Sequence, residues 1–320
     1  MLNFLKNWTL PIAMLAGALG YFVFANFTFL EPTKPFVNTF IAYITPFLIF
    51  AQLLLTFCKV DWRELMPSPW HGWLLLFQVV SASALAALLI FIPMDGSYRE
   101  VFEAAMVCLI CPTATAAAVI TGKLGGSASS LTTYTLLSNI LAAIAVPLIF
   151  PLVEPHADIT FFTAFLKILG KVFPLLLFPF FLALFFRYVL PKVHHFLLGF
   201  HDLAFYLWGM ALAIVTGQTV KSLMTSDVPG SVQILIALAG FITCALQFYL
   251  GKRIGTIYED RISAGQALGQ KNTVLAIWMA YTYLDPVSSV GPGSYVLWQN
   301  IFNSWQLWKK RKKEETINKQ

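Results

Sequence analysis

Ten apolar stretches, each about 20 residues long, follow one another through a chain of 320 residues with only short connections between them. A helix needs about 20 mostly apolar residues to cross a bilayer core. Backbone amides in lipid must be satisfied within the protein, so such runs fold as helices. The stretches are 8–29, 36–58, 70–93, 100–122, 128–153, 172–190, 202–224, 230–253, 262–284 and 288–308. The fold class they predict is all-α and integral to the membrane, with ten transmembrane helices. Composition agrees: 58% of residues are hydrophobic and 11% charged, with a mean hydropathy of +0.73. A soluble domain is about 25% charged. The connections leave no room for one. The first stretch is long and more spans follow, so it reads as a retained span rather than a signal peptide. The segment 161–171 is amphipathic, with Lys167 and Lys171 four apart on one face. It is expected as an interfacial helix leading into the sixth span.

The basic residues set the orientation. With the N-terminus inside, Lys6, Lys59, Arg63, Lys123, Arg187, Lys192, Lys252, Arg253, Arg261, the run 309–313 and Lys319 fall on the cytoplasmic side, fifteen of the 21. Five fall outside: Lys34, Arg99, Lys167, Lys171 and Lys221, beside an acidic loop from Glu154 to Asp158. That asymmetry follows the positive-inside rule. It places both termini in the cytoplasm and the chain in a bacterial inner membrane. The net charge of +6 is concentrated in 309–313, which fits a lipid surface better than nucleic acid. The expected partners are the bilayer and a small organic solute, with no obligatory protein partner. Cys58, Cys108, Cys111 and Cys244 lie in or beside apolar segments and read as small apolar packers. The five histidines sit at span ends and in loops. His194, His195 and His201 have no metal-ligand spacing, so neither a metal nor a cofactor is expected.

Ten spans divide into five and five at about residue 158. An odd number per half makes the halves inverted repeats, a common transporter plan with its site at the midplane between discontinuous helices. The expected units are 1–158, 159–310 with the interfacial helix and spans six to ten, and a basic cytoplasmic tail, 311–320. The fourth and ninth spans carry matching interruptions. The fourth reads CPTATAAAVITG over 111–122, with Pro112 unable to donate a helix hydrogen bond. The ninth reads LGQKNTVLA over 268–276, with Gly269 loosening the backbone. Freed backbone groups persist at that depth only inside protein or along a wet cavity.

These features resemble the bile acid:sodium symporter family over nearly the whole chain. The second span ends LLLTFCKVDWREL, and the third carries Gln78. The fourth has Cys111-Pro112 followed by Thr115-Ala116, and the ninth has Gly269 and Asn272. The resemblance implies two inverted five-helix repeats, in which helices four and nine unwind and cross and a core domain moves against a panel domain. It implies substrate contact at Thr115 and Asn272; the neighbouring Thr113 and Thr273 complete the candidate substrate set. The departures fall on the sodium site. Ala117-Ala118 replace a Ser-Asn pair, and Ala267, next to Gln266, replaces a glutamate. Lys271 replaces a glutamine that binds sodium. The candidate ion-site or ion-substituting residues are therefore Lys271, Gln266, Gln270, Gln78, Ser130, Thr132 and Thr135. Sodium stays open as a coupling ion.

Lys271 lies ten residues from Arg261 at the cytoplasmic edge, which is ~15 Å along a helix and the middle of the hydrocarbon. A charge there costs on the order of 2.5–3.5 kcal/mol on insertion scales. No Asp or Glu lies near the centre of any span. Three readings follow: a tethered ammonium in place of a sodium ion, a proton carrier, or a fixed charge in a uniporter. The bland alternative is a lysine bonded to carbonyls of neighbouring helices. Gln52, Gln218 and Gln247 read as helix–helix contacts without a special role. The function expected is alternating-access transport of an organic anion, such as a small carboxylate or a bile-acid-like solute. The alternative is a proton-coupled or uncoupled carrier of a neutral solute. A membrane hydrolase is disfavoured, because no G-x-S-x-G, no H-E-x-x-H and no paired intramembrane carboxylates are present. The stretch GGSAS, 125–129, lacks a partner for such chemistry.

Overall fold

A computed structural model describes residues 2–317 apart from 62, 64, 95, 156–159 and 201. The boundary between 158 and 159, the side chain of Lys6, and Asp158, His201 and Lys319 lie outside the described residues. The chain is helical: α1 Leu2–Asn26, α2 Lys34–Cys58, α3 Pro69–Phe91, α4 Gly96–Ile110, α5 Ala117–Leu124, α6 Ala128–Val153 and α7 Phe161–Tyr188. There follow α8 Pro191–Leu198, α9 Leu203–Thr225, α10 Gly230–Ile257, α11 Arg261–Gly269, α12 Thr273–Tyr283 and α13 Val290–Ile317. Short 3-10 turns occupy Thr28–Thr33 and Pro286–Ser289. Among the described residues, six segments are long and apolar enough to cross a membrane: Phe29–Cys58 and the whole of α3, α6, α7, α9 and α10. The protein is integral to a membrane.

Each apolar stretch falls on helix, and the fourth and ninth fall on the broken pairs α4/α5 and α11/α12. The segment 161–171 departs from expectation. It is no separate interfacial helix but the first turns of α7, which runs unbroken for 28 residues. Thr160 caps it, its hydroxyl accepting from the Thr163 amide at 3.3 Å. Ala164 and Ile168, four apart, are buried from the start, so the apolar face meets α6 rather than lipid headgroups. The basic segment also differs, since α13 continues through Ile317.

GGSAS is a helix stop and start. Gly125 takes the left-handed conformation with φ 90°, and the Gly126 amide returns to the Thr121 carbonyl at 2.9 Å. This is the glycine-terminated helix end that L side chains with a Cβ resist. Ser127 then caps α6, its hydroxyl accepting from the Ser130 amide at 3.1 Å.

Packing falls into two groups. α1 and α2 rest on α9, and α2 also packs on α7. α4, α11 and α13 rest on α10, and α4 also packs on α3. α6 joins the groups, touching α7 on one side and α3 on the other. All four cysteines are free and buried.

Candidate functional site

The two broken spans meet. Among the described residues the one β-type pairing is an antiparallel bridge between Thr113 and Lys271. It is made by the Ala114 amide on the Gln270 carbonyl (3.0 Å) and the Asn272 amide on the Pro112 carbonyl (2.9 Å). Two unwound segments thus satisfy each other where neither has helix partners.

The break in α4 follows from Pro112. An uninterrupted helix would pair the amides of residues 112–115 with the carbonyls of residues 108–111. Proline has no amide to give, and the chain beyond it unwinds. Four carbonyls are orphaned deep in the bundle, and each has found a new donor. Gln247 Nε2 donates to the Cys108 carbonyl at 3.2 Å. Lys271 Nζ donates to Leu109 at 3.3 Å. Gln78 Nε2 donates to Ile110 at 2.7 Å and to Cys111 at 3.1 Å. The donors come from α10, the second break and α3. A cation at the C-terminal end of α4 also meets the negative end of the helix dipole.

The second break is served in the same way. Thr113 Oγ1 donates to the Ala267 carbonyl at 2.6 Å, and Tyr295 Oη to the Gly269 carbonyl at 2.8 Å. The bridging amides are held from outside: Thr113 N by Ser138 Oγ at 3.2 Å, and Lys271 N by Gln299 Oε1 at 3.0 Å. Asn272 caps α12, its Oδ1 accepting from the Leu275 amide at 3.3 Å. Its carbonyl accepts from Cys111 Sγ at 3.1 Å, so this cysteine does more than fill space. Gly269 matters for space: an added Cβ would run into the Phe248 ring.

The candidates separate by position. Thr113, Lys271 and Asn272 are at the crossing, with Thr273 the first residue of α12 and 3% exposed. Thr115 lies just past the bridge, 8% exposed, its hydroxyl without a hydrogen-bond partner among the described residues. It leads into α5, whose first turn has no side-chain cap and begins beside the exposed Ala116. Gln266 and Gln270 bond to each other, and Gln266 also donates to Gln306 at 3.3 Å. Thr135 back-bonds to Leu131 at 2.9 Å, one turn before Ser138. Ser130 and Thr132 are not brought to the crossing. Ser130 bonds His71 at 3.2 Å near the start of α6, about 12 Å along the helix from Ser138. Thr132 is half-exposed and back-bonds to Ala128 at 2.8 Å.

Sequence reasoning set Gln247 aside and did not find Tyr134, Ser138, Tyr295 or Gln299. Gln247 donates to both Cys108 and Tyr295 Oη (3.1 Å); Tyr134 donates to Gln78 Oε1 at 3.1 Å. A signal existed: YTLLS over 134–138 and YVLWQ over 295–299 place a tyrosine and a polar residue four apart on α6 and α13.

At the positions that the resemblance assigns to sodium, side-chain oxygens are few. Ala117 and Ala267 offer no side-chain oxygen, and the amide oxygens of Gln78 and Gln266 are taken. Lys271 is 1% exposed, its ammonium bonded to the Leu109 carbonyl. Of the two buried carboxylates on α4, Glu100 and Glu103, the deeper Glu103 is engaged by Arg99 at 3.2 Å and Ser288 at 3.0 Å.

No family model matches the chain. The chain is similar to the uncharacterized sodium-dependent transporter YocS of Bacillus subtilis (strain 168), with 26% identity over 281 residues, covering 86% of this chain and 85% of that protein.

Proposed function

We propose that the chain is a secondary active transporter, not an enzyme, that carries a small organic anion by alternating access. It follows the plan of the bile acid:sodium symporter family, with Lys271 in the place of a sodium ion. The observation that carries this reading is the Lys271 ammonium, buried at the crossing and bonded to the orphaned Leu109 carbonyl on the opposite broken helix. A sodium ion there would neutralise carbonyl ends; a tethered ammonium supplies the same charge without an ion to load. The similarity to a sodium-dependent transporter supports the transport class, and the coupling proposed for this chain rests on Lys271 alone.

The two-fold inverted plan is supported by matched partners. Gln78 and Gln247 lie on the third and eighth spans, and Tyr134 and Tyr295 on the fifth and tenth. Ser138 and Gln299, each four residues past its tyrosine, hold the two bridging amides. The division 1–158 and 159–310 pairs these residues. The packing groups suit a panel (α1, α2, α7, α9) moving against a core. The basic residues favour both termini at the cytoplasmic face of an inner membrane.

An anion is favoured by what stays unpaired. The Thr115 hydroxyl and the Asn272 side-chain NH2 are donors without a partner among the described residues, and the Lys271 ammonium, though bonded to the Leu109 carbonyl, has no carboxylate counter-ion among them. A thermal-shift screen of small carboxylates, sulfonates and phosphorylated metabolites on the purified chain tests this by mass action. A stabilising anion whose shift disappears in Thr115→Val and Asn272→Ala is expected. Stabilisation by neutral solutes alone would contradict it.

A further inference from the structure

A cavity away from the crossing carries its own signature. It measures about 1430 Å³ and lies between α1 and α2, with α9 as its floor and α7 and α12 at its sides. It exists because α1 and α2 both rest on α9 yet make almost no contact with each other. The gap between them opens sideways, where Tyr43 and Phe47 are 76% and 59% exposed. Along α2 the lining runs from Lys34 to Phe50, which is ~24 Å of helix and most of a hydrocarbon core.

The charged lining residues are Lys34, Lys171 and Lys221, and no carboxylate lines the cavity. Lys34 is the first residue of α2, Lys221 lies four residues before the end of α9, and Lys171 lies ten residues into α7. Lys34 pairs with Glu31 at 3.3 Å on the rim. Lys171 and Lys221 form no ion pair among the described residues. Deeper down the walls are apolar, with Ala16, Ala42, Phe50, Leu175 and Trp278.

We infer that this slot binds one anionic phospholipid, its phosphate held between Lys171 and Lys221 and an acyl chain laid along the gap between α1 and α2. The sideways opening and the length of the apolar groove favour a bilayer lipid over a soluble anion, which would leave the deep apolar part empty. Lysines at headgroup level attract anionic lipid, and aromatic side chains suit the interface. The inference needs only that the helices cross a bilayer and is independent of the transported solute.

The test is native mass spectrometry of the purified full chain with phosphatidylglycerol, against phosphatidylcholine of the same acyl chains. One phosphatidylglycerol is expected to stay bound, with about tenfold preference, and Lys171→Gln with Lys221→Gln should remove that preference. Gly20→Phe should empty the slot without harming the fold, since a side chain begun there meets no atom within 4 Å. An unchanged melting temperature with lost lipid is the expected pair of readings for that variant. Equal retention of the two lipids, or retention unaffected by Gly20→Phe, overturns the inference. Displacement of the lipid by an equal concentration of glycerol phosphate also overturns it, in favour of a soluble anion.

Discussion

The two breaks at the crossing are built from opposite materials. Between α4 and α5 the chain is unwound over residues 111–116, mostly with small side chains around a proline. Between α11 and α12 it is unwound over three residues only, Gln270, Lys271 and Asn272, each with a long or amide side chain. Both breaks leave carbonyls that other elements must serve, and the second also brings a donor of its own, the Lys271 ammonium, to the first. A proline makes a break by subtraction, and a polar cluster makes it by competition. Facing each other, the two complete one hydrogen-bond network that neither span could close alone.

The contrast is easiest to break at the donors of the first break. Gln78→Leu leaves the Ile110 and Cys111 carbonyls unpaired and strands the Tyr134 hydroxyl. At about 1–3 kcal/mol for each buried group left unsatisfied, it should cause the largest fall in melting temperature of the purified protein. Gln247→Leu, which frees one carbonyl, should cost less.

Gly269→Ala comes next. Its methyl group meets the Phe248 ring, and overpacking costs about 1–3 kcal/mol. The double variant Gly269→Ala/Phe248→Leu should regain part of the loss in the same thermal measurement. If Gly269→Ala alone were neutral, the close approach of α10 would not explain the glycine.

The tyrosines sharpen the comparison further. Tyr295→Phe removes the donor to the Gly269 carbonyl and the acceptor for Gln247. Tyr134→Phe removes only the bond to Gln78 Oε1. Both effects should be near 1 kcal/mol for each bond lost, with Tyr295→Phe the larger in chemical denaturation. The smallest stability effect belongs to Thr115→Val, whose hydroxyl has no protein partner to lose. Its melting temperature should stay unchanged while KM for uptake rises.

The helical, apolar character of the chain and both breaks were legible because the bilayer demands a simple pattern, and Pro112 and the Gln-Lys-Asn cluster interrupt it plainly. The partners at the crossing were less legible. Gln52, Gln218 and Gln247 look alike on helices that are apolar all round, and only packing decides that Gln247 faces the Cys108 carbonyl. The start of α7 was misread because two lysines on one face suggest an interface, whereas the other face is covered by α6. The short α8 was missed as well. It is held by His194 on the Cys58 carbonyl at 2.9 Å, a contact across 136 residues that no local pattern announces.

The central claim is that Lys271 stands where a sodium ion would otherwise sit. The most direct measurement is uptake of the stabilising anion into proteoliposomes, with an imposed inward sodium gradient and with potassium in its place. Equal uptake in the two is predicted for the native chain, because a charge fixed to the protein leaves no sodium ion to load. Strong stimulation by the sodium gradient would contradict the account.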